Sequence, residues 1–386
     1  MDKIYLSYIK PKTFSGQSAS TDLIKHSLSN NFKFIDLPLY ALDRSLNSKV
    51  YAYLFWFLRS LKIFPGLLSI LLSSKPLLYI NLGQGYASFV RVMWWLGPLR
   101  IIKRNLRTVV SLNGHTFMKW QRHDKQAKLF YNILNSARFV TVVGPNQKAK
   151  LVEWGLPDNN VLIVPNTCEL KCINSADISE KHRLKIDQPI NLLHLSLLIE
   201  SKGFPEYLEA LEILSKKNLS RPINAVLCGP MSFTQYCTKL KTTEEKSAWI
   251  NNKIESINTS PKVNVQWIPG AQGAQKEDLF SNSQIFVLPT YFPVEAQPLV
   301  LLEALSKGCA IITSTAGEIK STVNPDCAII LEDLTAENIA RNILSLIEND
   351  KHRTEIALNG LTLIKGPLSL DTYGLTWNKI FNELKS

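Results

Sequence analysis

The sequence predicts an α/β protein built as two doubly wound, Rossmann-like domains facing across a cleft. Three observations carry this. The chain has 386 residues, more than one hydrophobic core usually organises. Short apolar runs alternate with helix-period segments twice over, the pattern of a parallel sheet with helices on both faces. Charge also divides the chain. Residues 1–170 hold 22 Lys and Arg against 8 Asp and Glu, a net +14, whereas residues 171–386 hold 22 and 24, a net −2.

In the first half, strands are expected at residues 4–9, 34–37, 77–81, 107–112, 139–143 and 161–164. Helix-period segments at 21–28, 121–137 and 147–154 lie between them. Pro165-Asn166 closes this series. Residues 1–170 are therefore read as the first domain. Residues 167–189 show little periodicity, and 171–189 are read as a linker. The alternation then restarts, with strands expected at 191–195, 224–227, 263–267, 285–288, 310–313 and 328–331. Helices are expected at 207–216, 243–257 and 298–307, within a second domain spanning 190–368. Two such domains place a ligand site at the carboxyl ends of their strands.

The first half has an unusual stretch. Residues 44–123 contain twelve Lys or Arg, from Arg44 to Arg122, and no Asp or Glu. Tyr51, Tyr53, Phe55, Trp56, Phe57, Phe64, Phe89, Trp94 and Trp95 are interleaved with them. Cations mixed with amphipathic rings suit an anionic lipid headgroup layer, and a solvated basic surface is the plainer alternative. Residues 50–72 are the one membrane-span suspect. Arg59, Lys62 and Pro65-Gly66 interrupt them, so no run reaches the ~18 apolar residues of a spanning helix. They read as helices that either touch a bilayer or pack on the core. A nucleic-acid partner is not expected, because zinc-finger spacing and an RRM-like signature are both missing.

No signal peptide is read at Met1-Asp2-Lys3. The six cysteines form no CxxC pair, and several lie in apolar runs, as small core residues do. A reduced, cytoplasmic protein is expected, either free or peripheral on the cytoplasmic face of the membrane.

The strongest local signal is LPTYFPVEAQPLVLLEALSKGCAIIT at residues 288–313. A buried strand ends at Pro289, and a loop carries Glu295. A helix opens near Pro298 and stops at Gly308. Backbone N–H groups at Leu299 and Val300 would be free for a phosphate or a sugar hydroxyl. Glu295 and Glu303 are carboxylates that can accept paired hydrogen bonds from vicinal hydroxyls. Taken alone, Glu303 could equally form an i,i+4 pair with Lys307.

This segment resembles the glutamate-x7-glutamate motif of glycosyltransferase family 4, retaining enzymes of GT-B fold, in their bacterial surface-polysaccharide type. The likeness extends along the chain in order. GQS at 16–18 resembles the family's small-residue phosphate-side loop. VVGPN at 142–146 and VLIVPN at 161–166 resemble the end of its first domain. NLLHLSLLIESKG at 191–203 resembles its donor-diphosphate loop. SLDTYGLTW at 369–377 resembles a closing helix that crosses back to the first domain, so 369–386 are assigned to it.

The resemblance implies site roles. Glu295 would bind sugar hydroxyls near the reacting carbon and Glu303 the nucleotide ribose. Lys202 would neutralise the leaving diphosphate. Gly203 and Gly16 would allow close backbone approach. In SLNGHTF at 111–117, Asn113 stands where the family often has His, and His115 follows. Either could bond the sugar, or the pair could be a turn-forming Asn-Gly beside a solvated His. His194 reads as a core histidine. Departures are Leu197 where Arg is usual, Ala296 for Gly, and Ser321 for a frequent Glu. Losing that Arg removes about 2–4 kcal/mol of leaving-group stabilisation unless another cation replaces it; Lys276 is the candidate.

The expected function is transfer of a sugar, with retention, from a nucleotide diphosphate sugar to an acceptor hydroxyl, in lipid-linked or cell-surface polysaccharide synthesis. No metal or other cofactor is expected. The alternatives are a GT-B nucleotide-sugar epimerase and a non-catalytic sugar-nucleotide-binding protein.

Overall fold

The computed structural model describes residues 2–10, 16–40, 49–185 and 187–385. It divides into two compact units, Met1–Asn166 with Leu370–Ser386 and Thr167–Ser369. Each has its own six-stranded parallel sheet.

Unit 1 runs β1 (Asp2–Lys10), α1 (Gly16–Leu28), β2 (Phe32–Tyr40), α2 (Lys49–Ser60), α3 (Phe64–Leu72), β3 (Leu77–Asn81), α4 (Tyr86–Ile102), β4 (Arg107–Leu112), α5 (Lys125–Asn135), β5 (Phe139–Val142), α6 (Pro145–Glu153) and β6 (Val161–Ile163). Its strand order is β2-β1-β3-β4-β5-β6. Every residue of β3 and of β5 is buried, as expected of strands covered on both faces.

Unit 2 begins with α7 (Ser175–His182) and continues β7 (Ile190–Leu195), α8 (Phe204–Ser215), β8 (Ile223–Cys228), α9 (Thr243–Ile257), β9 (Val263–Ile268), α10 (Gly273–Asn282) and β10 (Ile285–Leu288). It ends with α11 (Leu299–Ser306), β11 (Ala310–Ser314), α12 (Ile319–Thr322), β12 (Ile329–Leu331), α13 (Ala336–Glu348) and α14 (Asp350–Lys365). The order is β12-β11-β10-β7-β8-β9. A core including Leu192, Phe204, Tyr207, Leu211, Val287 and Ile312 lies under α8 and α13.

The chain then returns to unit 1 as α15 (Leu370–Lys385). Its apolar face buries Tyr373, Trp377, Ile380, Phe381 and Leu384. The Trp377 ring meets Tyr79 of β3 edge-on at 5.4 Å, and Phe381 meets Phe32 at 5.6 Å.

Two expectations need correction. The segment 171–189 is more than a linker: it contains α7, capped by the Asn174 side chain accepting from Asp177 N. Ile178 and His182 are buried, and His182 Nε2 lies 2.9 Å from Gly308 O. Two helical turns are too short to display a period, so the sequence hides this helix. The helix expected at 298–307 starts one residue late, with Pro298 as its N-cap.

Residues 50–72 are helical, as α2, a 3₁₀ turn (Leu61–Ile63) and α3. Among the described residues no helix is long and apolar enough to cross a membrane. Of the basic aromatic stretch, Arg44 and the side chains of Lys49, Tyr53 and Phe55 lie outside the described residues. The six cysteines are free thiols.

Candidate active site

In unit 2 the sheet grows outward in both directions from the adjacent strands β7 and β10. The carboxyl ends of such central strands are the usual ligand position in a sheet of this kind. The sequence places its charged motifs on the two loops that leave these ends.

The loop after β7 forms a 3₁₀ turn at Glu200–Lys202 and reverses at Gly203, whose φ is +85°. A Cβ at Gly203 would stand 2.3 Å from Pro289 O. Only glycine tolerates both the left-handed backbone and that approach. Gly203 therefore presses the Lys202 loop against the loop after β10.

The two loops are joined by an ion pair. Lys202 Nζ donates to Glu295 Oε2 at 2.5 Å, with both side chains largely buried. Thr290 Oγ1 donates to the same oxygen at 3.2 Å. The Phe292 ring lies 4.7 Å from the Lys202 ammonium, a cation–π contact. Behind Glu295, Gly317 (φ +59°) packs so closely that a Cβ would meet Glu295 O at 2.1 Å.

A second pair sits on α11. Lys276 Nζ on α10 donates to Glu303 Oε1 at 2.6 Å. Glu303 Oε2 is buried and has no hydrogen-bond partner among the described residues. Burial pushes this carboxyl above its ordinary value, and the Lys276 charge and hydrogen bond oppose the rise. The i,i+4 pairing with Lys307 does not form. Lys307 instead bonds Glu277 and donates to Lys171 O. Lys276, the candidate replacement for the missing Arg, sits on α10 with its charge on Glu303.

Leu299 and Val300 open α11, and no side chain caps the helix at Pro298. The first N–H groups of a helix have no partner within it and favour an anion or a hydroxyl oxygen. His194 is fully buried on β7, bonded to Val287 O and Ser196 Oγ and stacked on Tyr207. Burial drives its pKa down to about 3; it is a neutral core residue.

The other three candidates belong to unit 1. Gly16 is the first residue of α1, and residues 11–15 before it lie outside the described residues. Asn113, just beyond β4, donates through Nδ2 to Ser20 Oγ at 2.9 Å and Asn81 Oδ1 at 3.3 Å. Its amide thus ties α1 to the ends of β3 and β4. His115 is buried, with Nδ1 3.2 Å from Gln147 Nε2. The carbonyl of Gly114 accepts from both Gln84 and Gln147, at 2.7 and 2.8 Å. The solvated-histidine alternative therefore fails, and Asn-Gly-His is a braced turn.

Sequence reasoning missed Thr290, Phe292, Gly317 and Glu200. The first two follow the strand directly, so their place beside Glu295 was available in the sequence. Glu200 was not. Its carboxylate accepts Leu240 N at 2.8 Å and Lys239 N at 3.1 Å, forty residues away. Burial pushes this carboxyl up, yet those N–H bonds hold it below its ordinary value. Among the described residues no group of three or more His, Cys, Asp or Glu could hold a metal ion.

Residues 175–362 match the family model described as glycosyl transferases group 1. This span carries both Lys–Glu pairs. No curated protein matches the chain. Among solved structures, the chain is similar to Anabaena HepE in complex with UDP and glucose (TM-score 0.69, 14% identity, covering 99% of this chain and 100% of that one). It is similar to sucrose-phosphate synthase from Thermosynechococcus elongatus (TM-score 0.70, 16% identity, covering 100% and 99%). A glycosyltransferase from Rickettsia africae is comparable (TM-score 0.67, 13% identity, covering 99% and 98%). At such identities the likeness is one of fold: two Rossmann-like domains, as in GT-B glycosyltransferases.

Proposed function

We propose that this protein is a retaining glycosyltransferase of family-4 type. It moves a sugar from a nucleotide diphosphate sugar to an acceptor hydroxyl in lipid-linked or cell-surface polysaccharide synthesis. The observation that carries the reading is Glu303 Oε2, a buried carboxylate oxygen on the second turn of α11 with no hydrogen-bond partner among the described residues. Such an atom is costly unless a ligand donates to it. Vicinal ribose hydroxyls are donors of the right kind.

In this reading Lys202 stabilises charge on the departing diphosphate, and Glu295 receives sugar hydroxyls. The glycosidic C–O bond breaks with its electron pair going to the diphosphate. The acceptor oxygen bonds to the same face of the anomeric carbon. Its proton passes to the leaving phosphate. Positioning and electrostatics carry the rate. Glu295, already bonded to Lys202, acts as a hydroxyl acceptor rather than as a nucleophile. Leu299 and Val300 offer their N–H groups to the donor. Lys276 opposes the protonation of Glu303 that burial favours, and takes only an indirect part in place of the missing Arg. Gly16, Asn113 and His115 shape unit 1, the acceptor-binding unit. The basic first half favours an acceptor carried on lipid at the cytoplasmic face of a membrane.

The test is incubation of the protein with single nucleotide sugars, with and without lipid-linked acceptors, followed by NMR of the anomeric proton. A glycosylated lipid with the donor's anomeric configuration supports the reading. An altered sugar formed from donor alone indicates an epimerase. A donor that binds without turning over on any acceptor indicates a binding protein.

A further inference from the structure

An amphipathic helix normally turns its apolar stripe inward. The helical run from α2 through α3 carries a second apolar stripe that faces outward. Leu54, Leu58, Leu61, Phe64, Leu68 and Leu72 recur at steps of three and four residues. All six are exposed, between 38% and 80%. The opposite side of the run buries Ile63, Gly66 and Ile70 instead. A second exposed apolar row lies on α4, with Tyr86, Val90, Trp94 and Ile101. Phe64 and Trp94 join the rows edge to face at 6.3 Å. Lys103 Nζ adds a bond across them to Leu71 O at 3.1 Å. This is one contiguous patch rather than scattered apolar residues.

The charge around the patch is mostly positive, with Asp2 the acidic exception. Lys62, Lys75 and Arg104 are exposed along it, and no Asp or Glu occurs between residues 44 and 123. Leu68 and Leu72 also wall a cavity of about 770 Å³ whose charged lining is Asp2, Lys3, Lys75 and Lys385. The Lys385 ammonium there pairs with Asp2 at 2.6 Å. Lys3 and Lys75 have no acidic partner among the described residues. A second copy of the chain would bring cations against cations at this face. A bilayer of anionic lipid satisfies both components, acyl boundary for the leucines and phosphate for the lysines.

We propose that unit 1 docks on an anionic bilayer through this face. Leu58, Leu61, Leu68 and Leu72 enter the headgroup boundary. Lys62, Lys75 and Arg104 meet lipid phosphates, and Lys3 with Lys75 receives one headgroup in the cavity.

The test is sedimentation of the full chain with vesicles of phosphatidylcholine alone, or of phosphatidylcholine with phosphatidylglycerol. The protein should pellet with the anionic vesicles and dissociate as salt rises. Leu68→Ser with Leu72→Ser, both strongly exposed, should weaken binding by about tenfold or more. Lys62→Glu with Lys75→Glu should act similarly on anionic vesicles only. Circular dichroism melting of each variant confirms that it folds. Absence of pelleting, or pelleting that neither folded variant changes, overturns the proposal. So does a wild-type dimer that Leu68→Ser with Leu72→Ser makes monomeric, since the face would then belong to a second copy. No donor sugar is used, so failure here leaves the transferase reading separately testable.

Discussion

Lys276 Nζ lies 2.6 Å from Glu303 Oε1, while the other oxygen of the same carboxylate is buried without a partner among the described residues. One oxygen is held by the protein, and the other is left for a ligand. Burial raises this carboxyl above its ordinary value of 4.5 despite the lysine. As pH falls toward that raised value, Glu303 gains a proton and loses acceptor capacity. Nucleotide-sugar affinity should therefore weaken on acidification, starting above pH 4.5. Glu303→Gln should bind roughly 10–100-fold less tightly at neutral pH and should lose this pH dependence. Titration calorimetry from pH 5 upward reads both.

Lys202 is predicted to act on turnover more than on donor binding. Its charge matters most when the diphosphate departs, so Lys202→Ala should lower kcat by about 10²–10³ with a smaller change in KM. Lys202→Arg should restore little, because a planar guanidinium cannot occupy the space between Glu295 and the Phe292 ring in the same way. Steady-state kinetics on protein of verified melting temperature separates this from the instability of an unpaired Glu295.

Gly317 should be irreplaceable for a reason visible in the backbone. Gly317→Ala combines a left-handed φ with a Cβ 2.1 Å from Glu295 O. It should lower the melting temperature and displace Glu295, reducing kcat. Gly273→Ala is the comparison. Its φ is +54°, but nothing lies within 4 Å of its Cβ, so only the backbone strain of about 1–2 kcal/mol remains. Activity should survive in Gly273→Ala and fall in Gly317→Ala.

Much of this organisation was legible because parallel strands are buried on both faces and read as apolar runs. All twelve strands appear where those runs stand, and β3, β4 and β10 have the expected ends. The Lys202 and Glu295 loops were legible because charge and glycine interrupt such runs at strand ends. Three features were hidden for physical reasons. Helix α7 is too short to show a period. Lys276 reaches Glu303 across 27 residues, a pairing that spacing cannot give. The outward stripe of α2 and α3 has the same period as an inward one, so the sequence could not choose between bilayer and core.

Two buried histidines make unit 2 sensitive to acid. Burial holds His182 at about 4 and His194 at about 3, against 6.5 when exposed. Below pH 6.5 the unfolded chain takes up protons that the folded unit refuses. Stability is therefore full above 6.5 and lost as pH falls toward 4 and then 3, at about 1.4 kcal/mol per pH unit for each group. Urea denaturation across this window should show that slope. His194→Gln should remove one group's share of it, whatever its effect at neutral pH.

The most direct test of the central claim is thermal stabilisation by a panel of nucleotide diphosphate sugars, comparing the wild-type protein with Glu303→Ala. A ligand that binds only the folded state stabilises it by RT ln(1 + [L]/Kd), about 2.7 kcal/mol at a hundredfold excess over Kd. The melting temperature should rise clearly with at least one donor in the wild type, and that rise should be lost in Glu303→Ala. No rise with any donor, or a rise undiminished in Glu303→Ala, would contradict that claim.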